Sequence, residues 1–235
     1  MYNQASIYKG GGVYNTGAGG GGGGGDTPLP DEYKELLYIR PDCDENSVRY
    51  NGAAYCDLGP SRNDLKWIID LIDFSVMKQW YINNNIGSNE TMCLGTSNGR
   101  IRYLLFRMDS GNFQARYWCE GYGAADWVNI PATISKVKID KVNAYIDNYL
   151  LQNGGGSPLI GNGSFTLPWG IGIDVPPLKI GTIKMYDVQD NIVHFWKPVE
   201  QLGGGANRFG FYDVTNNVFK ASERPGRYFV PGPDV

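Results

Sequence analysis

The stretch from Lys179 to Val235 constrains this chain most, because it alternates short apolar runs with clusters of turn residues. Ile180, Thr182, Ile183, Tyr186 and Val188 form a first run rich in β-branched and aromatic residues. Gln189-Asp190-Asn191 follows, and then Ile192, Val193, Phe195 and Trp196. Two such runs joined by a polar tripeptide are the signature of a β-hairpin. The pattern repeats at once, with strands expected over Arg208–Val214 and Val218–Ala221 around the turn Thr215-Asn216-Asn217. A last run, Tyr228–Val230, is closed by Pro231-Gly232-Pro233. The region reads as an antiparallel meander with an aromatic inner face, Phe195 or Trp196 entering the core.

The rest of the chain continues the theme. Leu36–Ile39 makes a strand stopped by Pro41. Val48–Tyr50 and Ala53–Leu58 flank Asn51-Gly52, a strong two-residue hairpin signal. Leu65–Phe74 is the most apolar run, and its β-branched content favours a central strand. Gln79–Ile82 reads as another strand and Asn83–Glu90 as a polar loop. Thr91–Gly95, Ile101–Met108 and Asn112–Cys119 follow, with turns at Asn98-Gly99 and Asp109-Ser110-Gly111. Ile101, Tyr103 and Leu105 alternate with other residues, as do Phe113, Ala115 and Tyr117, the pattern of paired strands with one buried face. Val137–Asp140, Asn143–Asp147 and Tyr149–Gln152 are three further short strands. Gly154–Gly156 and Asn162-Gly163 are loops, and Phe165–Ile173 leads to Pro176-Pro177. Such spacing suits a β-sandwich better than alternating strands and helices.

These motifs carry a resemblance. Lys184-Met185-Tyr186, the hairpin, Phe195-Trp196-Lys197-Pro198, Gly210–Asp213, Phe219 and the terminal Phe229–Gly232 form a distinctive series. It resembles the C-terminal end of concanavalin A-like (laminin G-like) domains found in bacteriophage virion proteins and in surface proteins of gut bacteria. Tyr33–Ile39 and Tyr55–Gly59 look like the family's first strand and the Tyr-x-Asp-x-Gly that follows. The resemblance runs from about Leu29 to Val235, and Pro41–Asn46 is an insertion relative to it. It implies an all-β, concanavalin A-like antiparallel β-sandwich (jelly roll). It also implies a virion protein, a fibre, spike or decoration, with a lectin-like face toward host or mucosal glycans. A virion component without ligand and a jelly-roll glycoside hydrolase stand as the other readings.

Two regions are expected: residues 1–30, an extended Gly-rich N-terminal tail, and 31–235, the sandwich. The tail holds the glycine run Gly19–Gly25, which has no side chains to bury. Ahead of it Ile7, Tyr8, Val13 and Tyr14 surround Lys9-Gly10-Gly11-Gly12. This pattern suits a peptide that docks in a groove of a partner, other virion proteins or further copies of the chain. Packing back on its own domain is the alternative.

A length of 235 residues gives one large all-β domain or two small ones, and a jelly roll of this length folds without disulfides. The net charge of −3 gives no basic patch that would argue for nucleic acid. A transmembrane helix is not expected, because no run of eighteen apolar residues exists. The N-terminus has neither the basic nor the apolar region of a secretory signal. Cys43, Cys56, Cys93 and Cys119 lack zinc-site spacing and are expected as reduced thiols in a reducing compartment, consistent with a virion assembled in the host cytoplasm. A Cys43–Cys56 bridge is the alternative if their strands are neighbours.

Catalytic chemistry finds little support. Jelly-roll glucanases need two carboxylates on one strand face. Asp70 and Asp73 are three apart, hence on opposite faces, and read as an edge or loop-facing pair. The single histidine, His194, has no evident partner and reads as a solvent-facing strand residue. Asp42, Asp44 and Glu45, and Asn83–Asn85 with Asn89 and Glu90, gather oxygen ligands without matching a calcium loop, so no metal or cofactor is expected. The best binding candidate is Trp118 with Glu120–Trp127. Tyr122 and Trp127 offer stacking faces for sugar rings, while Glu120 and Asp126 offer acceptors for hydroxyls. The alternative leaves Trp118 in the core and Trp127 over a sheet edge.

Overall fold

The computed structural model describes residues 27–42, 54–61, 65–85, 91–96, 102–119, 123–124, 126–140, 143–152, 163–167 and 178–235. The tail residues Ile7, Tyr8, Val13 and Tyr14, the run Gly19–Gly25, Val48–Tyr50, and the turns Asn51-Gly52 and Asn98-Gly99 lie outside them. In chain order the opening strands are β1 (Tyr33–Glu35), β2 (Ile39–Pro41), β3 (Cys56–Ser61) and β4 (Lys66–Asp73). After helix α1 (Phe74–Asn83) come β5 (Thr91–Thr96), β6 (Arg102–Asp109), β7 (Asn112–Cys119), β8 (Gly123–Ala124) and β9 (Val128–Asn129). Then follow β10 (Ile134–Asp140), β11 (Asn143–Ile146), β12 (Tyr149–Gln152) and β13 (Gly163–Leu167). The closing strands are β14 (Ile183–Tyr186), β15 (Ile192–Gln201), β16 (Phe209–Asp213), β17 (Val218–Ala221) and β18 (Phe229–Pro231).

The architecture is all-β with antiparallel sheets. One sheet has the order β12-β11-β10-β4-β14-β15-β16-β17, with β1 added on β15. The second runs β3-β13-β5-β6-β7-β8, with β9 on β7, and β2 pairs with β18. The closing meander forms as its turn residues require. Ile183 faces Trp196 across β14–β15, and Trp196 faces Asp213 across β15–β16. Both Phe195 and Trp196 are buried. The apolar run Lys66–Asp73 lies between β10 and β14, in the middle of its sheet. Asp70 and Asp73 therefore sit on a central strand, not at an edge as the sequence suggested.

Residues of both sheets meet in one buried cluster. The first sheet supplies Ile69, Val137, Ile183 and Trp196, and the second supplies Leu58, Phe106, Phe113 and Tyr117. Phe106 stacks on Phe113 at 5.7 Å between ring centres, and Phe74 lies 5.0 Å from Phe106. Successive residues of a strand point to opposite faces. Phe195, Val199 and Tyr212 accordingly form a smaller cluster on the other face of the first sheet. Tyr33 of β1 covers it, its ring 4.5 Å from that of Tyr212. The opening of the domain is thereby stitched to its close: β1 to β15, β2 to β18, and Leu36 bridged to Asp234.

Three local expectations are corrected. Gln79–Ile82 is helical, being part of α1. The Asp73 carboxylate caps that helix, accepting from the Ser75 amide at 3.0 Å and from the Ser75 hydroxyl. Phe74, Met77, Trp80 and Tyr81 are its buried residues, a spacing of three to four that only a helix presents on one face. The inward residues of β6 are Leu104, Phe106 and Met108, paired with Tyr117, Ala115 and Phe113. The expected phase of Tyr103 and Leu105 is off by one, because Leu104-Leu105-Phe106 is a continuous apolar run that hides the alternation. Finally, Leu36–Ile39 is not one strand. Leu36 follows β1, Ile39 opens β2, and Pro41 lies inside β2 opposite Phe229, a pairing possible for proline in a two-stranded ribbon.

Cys56 is a buried free thiol, while Cys43 lies outside the described residues. Cys93 and Cys119 fall on β5 and β7, as expected. Among the described residues no helix is long and apolar enough to cross a membrane.

Candidate functional site on the outer face of the second sheet

The hairpin β6–β7 fixes which side chains face outward. Phe113, Ala115 and Tyr117 are buried in the core, so Gln114, Arg116 and Trp118 take the other face. Across the pair Leu105 faces Arg116 and Arg107 faces Gln114. Strand β9 adds on β7 with Ala115 opposite Val128 and Gln114 opposite Asn129. One residue earlier, Trp127 falls beside Arg116 on the outward side.

The Trp127 ring rests against two cations. The guanidinium carbon of Arg107 is 4.2 Å from the ring centroid and that of Arg116 is 4.6 Å away. The electron-rich face of an indole attracts guanidinium groups, and Arg stacks flat on it. Arg107 is itself held in place. Its Nε donates to Gln114 Oε1 at 2.8 Å, and its Nη2 reaches Asp109 Oδ2 at 3.0 Å. Gln114 Nε2 then donates to Asn129 Oδ1 at 2.8 Å. The result is a half-buried indole fixed on a polar lattice of three neighbouring strands.

The sequence candidates are only partly gathered here. Trp127 is half-buried and Asp126 exposed, and Trp118 stands two residues from Arg116 on the same strand. Trp118 is partly exposed and absent from the core cluster. Glu120 and Tyr122 lie outside the described residues. The residues missed from sequence are Arg107, Arg116, Gln114 and Asn129. The alternation of β7 already turns Gln114 and Arg116 outward, Arg107 becomes readable once Leu104 rather than Leu105 is placed in the core, and Asn129 follows only from the pairing of β9.

His194 is part-buried rather than fully solvent-facing, and it does have a partner. Its Nδ1 lies 2.6 Å from Oδ2 of Asp213, on the strand paired with its own. Burial alone would push the Asp213 carboxyl up. Hydrogen bonds from His194 and Asn216 and from the amides of Phe195 and Thr215 more than offset this and hold it below the ordinary aspartate value. The Asn216 amide nitrogen lies 3.0 Å from the same Nδ1 and 2.7 Å from the same Oδ2, so the three side chains form one cluster. The His194 ring stacks on Trp196 at 5.8 Å, and its other nitrogen faces Gly59. The Asp213 carboxylate thus orients the imidazole, the role such a carboxylate plays beside any histidine.

The remaining candidates are engaged elsewhere. Asp70 pairs with Lys136 at 2.8 Å and accepts from Thr182 at 3.1 Å. Asp73 pairs with Lys179 at 2.9 Å besides capping α1. Asn83 accepts from Gln79, and the Asn84 side chain donates to the Trp80 carbonyl, so both serve the end of the helix. Asp42 lies 3.9 Å from Arg227, while Asp44, Glu45, Asn89 and Glu90 fall outside the described residues. Among the described residues no three His, Cys, Asp or Glu side chains gather as metal ligands. Comparison of the chain with protein-family models, with curated proteins and with solved structures returns no match.

Proposed function

We propose that this chain is a non-enzymatic recognition component of a bacteriophage virion, a fibre, spike or decoration. Its two sheets form a concanavalin A-like jelly-roll sandwich that faces outward and binds glycans. Residues 1–30 join it to other virion proteins and gather several copies through Ile7, Tyr8, Val13 and Tyr14. The observation that carries the reading is the half-buried Trp127 fixed against Arg107 and Arg116, beside exposed Asp126. A rigid aromatic with polar neighbours is the arrangement that stacks on the apolar face of a sugar ring. Copies gathered by their tails would raise the avidity of weak outer contacts.

A second reading is favoured by the same contact. Two guanidinium groups on one indole also suit a ring that seals the border of β7, in a virion component without ligand. A glycan array probed with the full chain and with Trp127→Ala separates the two. Binding lost in the variant supports recognition, and an array with no signal for either protein supports the structural role. Deleting Met1–Gly25 tests the anchor: the remaining domain should fold and no longer join the particle. Normal incorporation of the truncated chain would refute it.

A further inference from the structure

We infer that the outer face of the first sheet carries a second binding site, a depression at the β11–β12 hairpin that takes a neutral, hydroxyl-rich ligand such as a pyranose. The depression measures about 370 Å³ and is lined by Lys136, Lys138, Tyr145, Asp147 and Asn148. That volume lies in the range of small-molecule sites, roughly 300–1,000 Å³.

The backbone register explains why these side chains converge. Val137 and Ile139 of β10 are buried, as are Ala144 and Ile146 of β11, so Lys136, Lys138 and Tyr145 share the outer face. Lys138 stands directly opposite Tyr145, its Nζ 5.3 Å from the ring centroid. The turn that follows is locked to β10. The Lys136 amide donates to Asp147 Oδ1 at 2.8 Å, and the Asp147 amide donates to the Lys136 carbonyl at 2.8 Å. Asp147 adopts a φ of 51° in the turn, and Asn148 after it is exposed. On the other side of Tyr145 stands Leu150, exposed at 42%. The Tyr145 ring thus forms one wall of the depression, and amines, a carboxylate and an amide form the other.

Charge decides the ligand class. Both lysines are already matched, Lys136 by Asp70 at 2.8 Å and Lys138 by Asp140 at 3.1 Å. With Asp147 added, the surroundings carry two positive and three negative groups. Each ammonium group is matched by a carboxylate, and the remaining one, Asp147, already accepts from the Lys136 amide, so a charged ligand finds no unpaired partner of opposite sign beyond it. What remains is a ring of donors and acceptors beside an apolar wall. The Asn148 side chain is exposed and its amide can both donate and accept. Vicinal hydroxyls with an apolar ring face match that set. This face belongs to a different sheet from Trp127, so the inference does not depend on the function proposed above.

The test is amide chemical-shift mapping of the full chain titrated with methyl glucoside, methyl galactoside and methyl mannoside, and separately with galacturonate and inorganic phosphate. Saturable shifts at Lys136–Lys138 and Tyr145–Asn148 with a neutral glycoside, in the millimolar range typical of single sugars, are expected. Tyr145→Ala should weaken that binding about tenfold, the value of one aromatic contact. Asn148→Ala should weaken it as well without touching the fold, and Trp127→Ala should leave it unchanged. The inference is overturned by the absence of saturable shifts there with every neutral glycoside. It is equally overturned by stronger binding of galacturonate or phosphate at these residues, or by Asn148→Ala binding as the parent does.

Discussion

The Asp213 carboxylate is 1% exposed, and its Oδ2 lies 2.6 Å from Nδ1 of His194. The two residues are 19 positions apart and meet because β15 and β16 pair in the register that sets Trp196 against Asp213. Four donors converge on this one carboxylate, two amides and two side chains. Replacing it with alanine leaves the buried Phe195 amide without an acceptor and removes the partner of part-buried His194, while Thr215 and Asn216 are exposed to solvent. Asp213→Ala should therefore lower the unfolding free energy by about 3 kcal/mol, read from urea denaturation. Asp213→Asn, which keeps one carbonyl acceptor, should lose less.

Acid should destabilise the domain through two carboxylates. Burial raises the Asp73 carboxyl, but the Ser75 hydroxyl and amide and Lys179 overcome this, so Asp73 and Asp213 are both held below the ordinary value. A group with a depressed folded-state pKa contributes stability above its unfolded value, about 3.9 for aspartate, and loses it as pH falls through the folded value. Unfolding midpoints should be flat from neutral pH to about pH 5 and then fall. In the double variant Asp73→Asn, Asp213→Asn the acid fall should be shallower, though the protein starts less stable.

Gly210 should tolerate no side chain. A Cβ there would lie 2.1 Å from the Lys220 carbonyl oxygen, which belongs to the neighbouring strand. Backbone cannot swing aside as a side-chain tip can, so Gly210→Ala must part β16 from β17. A loss of about 3 kcal/mol or more is expected, seen as a lowered melting temperature. Gly59→Ala should cost less, about 1–3 kcal/mol. Its φ of 112° is strained for alanine, yet the nearest atom to a Cβ is a His194 side-chain nitrogen at 3.5 Å.

Trp127→Ala should have a small effect on stability and a large one on the outer face. Each guanidinium contact to a half-buried ring is worth about 0.5–1 kcal/mol, so the fold should lose about 1–2 kcal/mol. The near-ultraviolet circular dichroism band of the clamped indole should vanish, and Arg107→Ala should reduce it in part.

Cys56 should be chemically silent in the native protein. Burial pushes its thiol well above the usual range, and Glu223 adds to this. The thiolate is the reactive form, so iodoacetamide should leave Cys56 unmodified until denaturant is added. Mass spectrometry of the alkylated peptide reads the result directly.

Local signals carried much of the fold in the sequence. Gln189-Asp190-Asn191 marks a turn whatever surrounds it, and Asp190 does adopt a φ of 63° there. The helix was missed because the apolar run of β4 passes into it without a break. The cap at Asp73 and the three-to-four spacing of Phe74, Met77, Trp80 and Tyr81 were present but overshadowed. The candidate sites were less legible for a different reason. Arg107 and Trp127 lie 20 positions apart and belong together only through the register of β6, β7 and β9. His194 seemed alone because nothing near it in sequence announces Asp213 as its partner. Register is a property of paired strands, and no single strand states it.

The pairing of β2 with β18 and of β1 with β15 also sets an order in time. β1 and β2 leave the ribosome long before the strands they must join. Until then Tyr33 has no Phe195 and Tyr212 to cover, and the opening segment has nothing to hold. Contacts this distant in sequence close late and slowly. The nascent chain therefore spends most of its synthesis as an incomplete sheet with a bare apolar face, and its yield in a cell rests on what shields that face while the last strands are made.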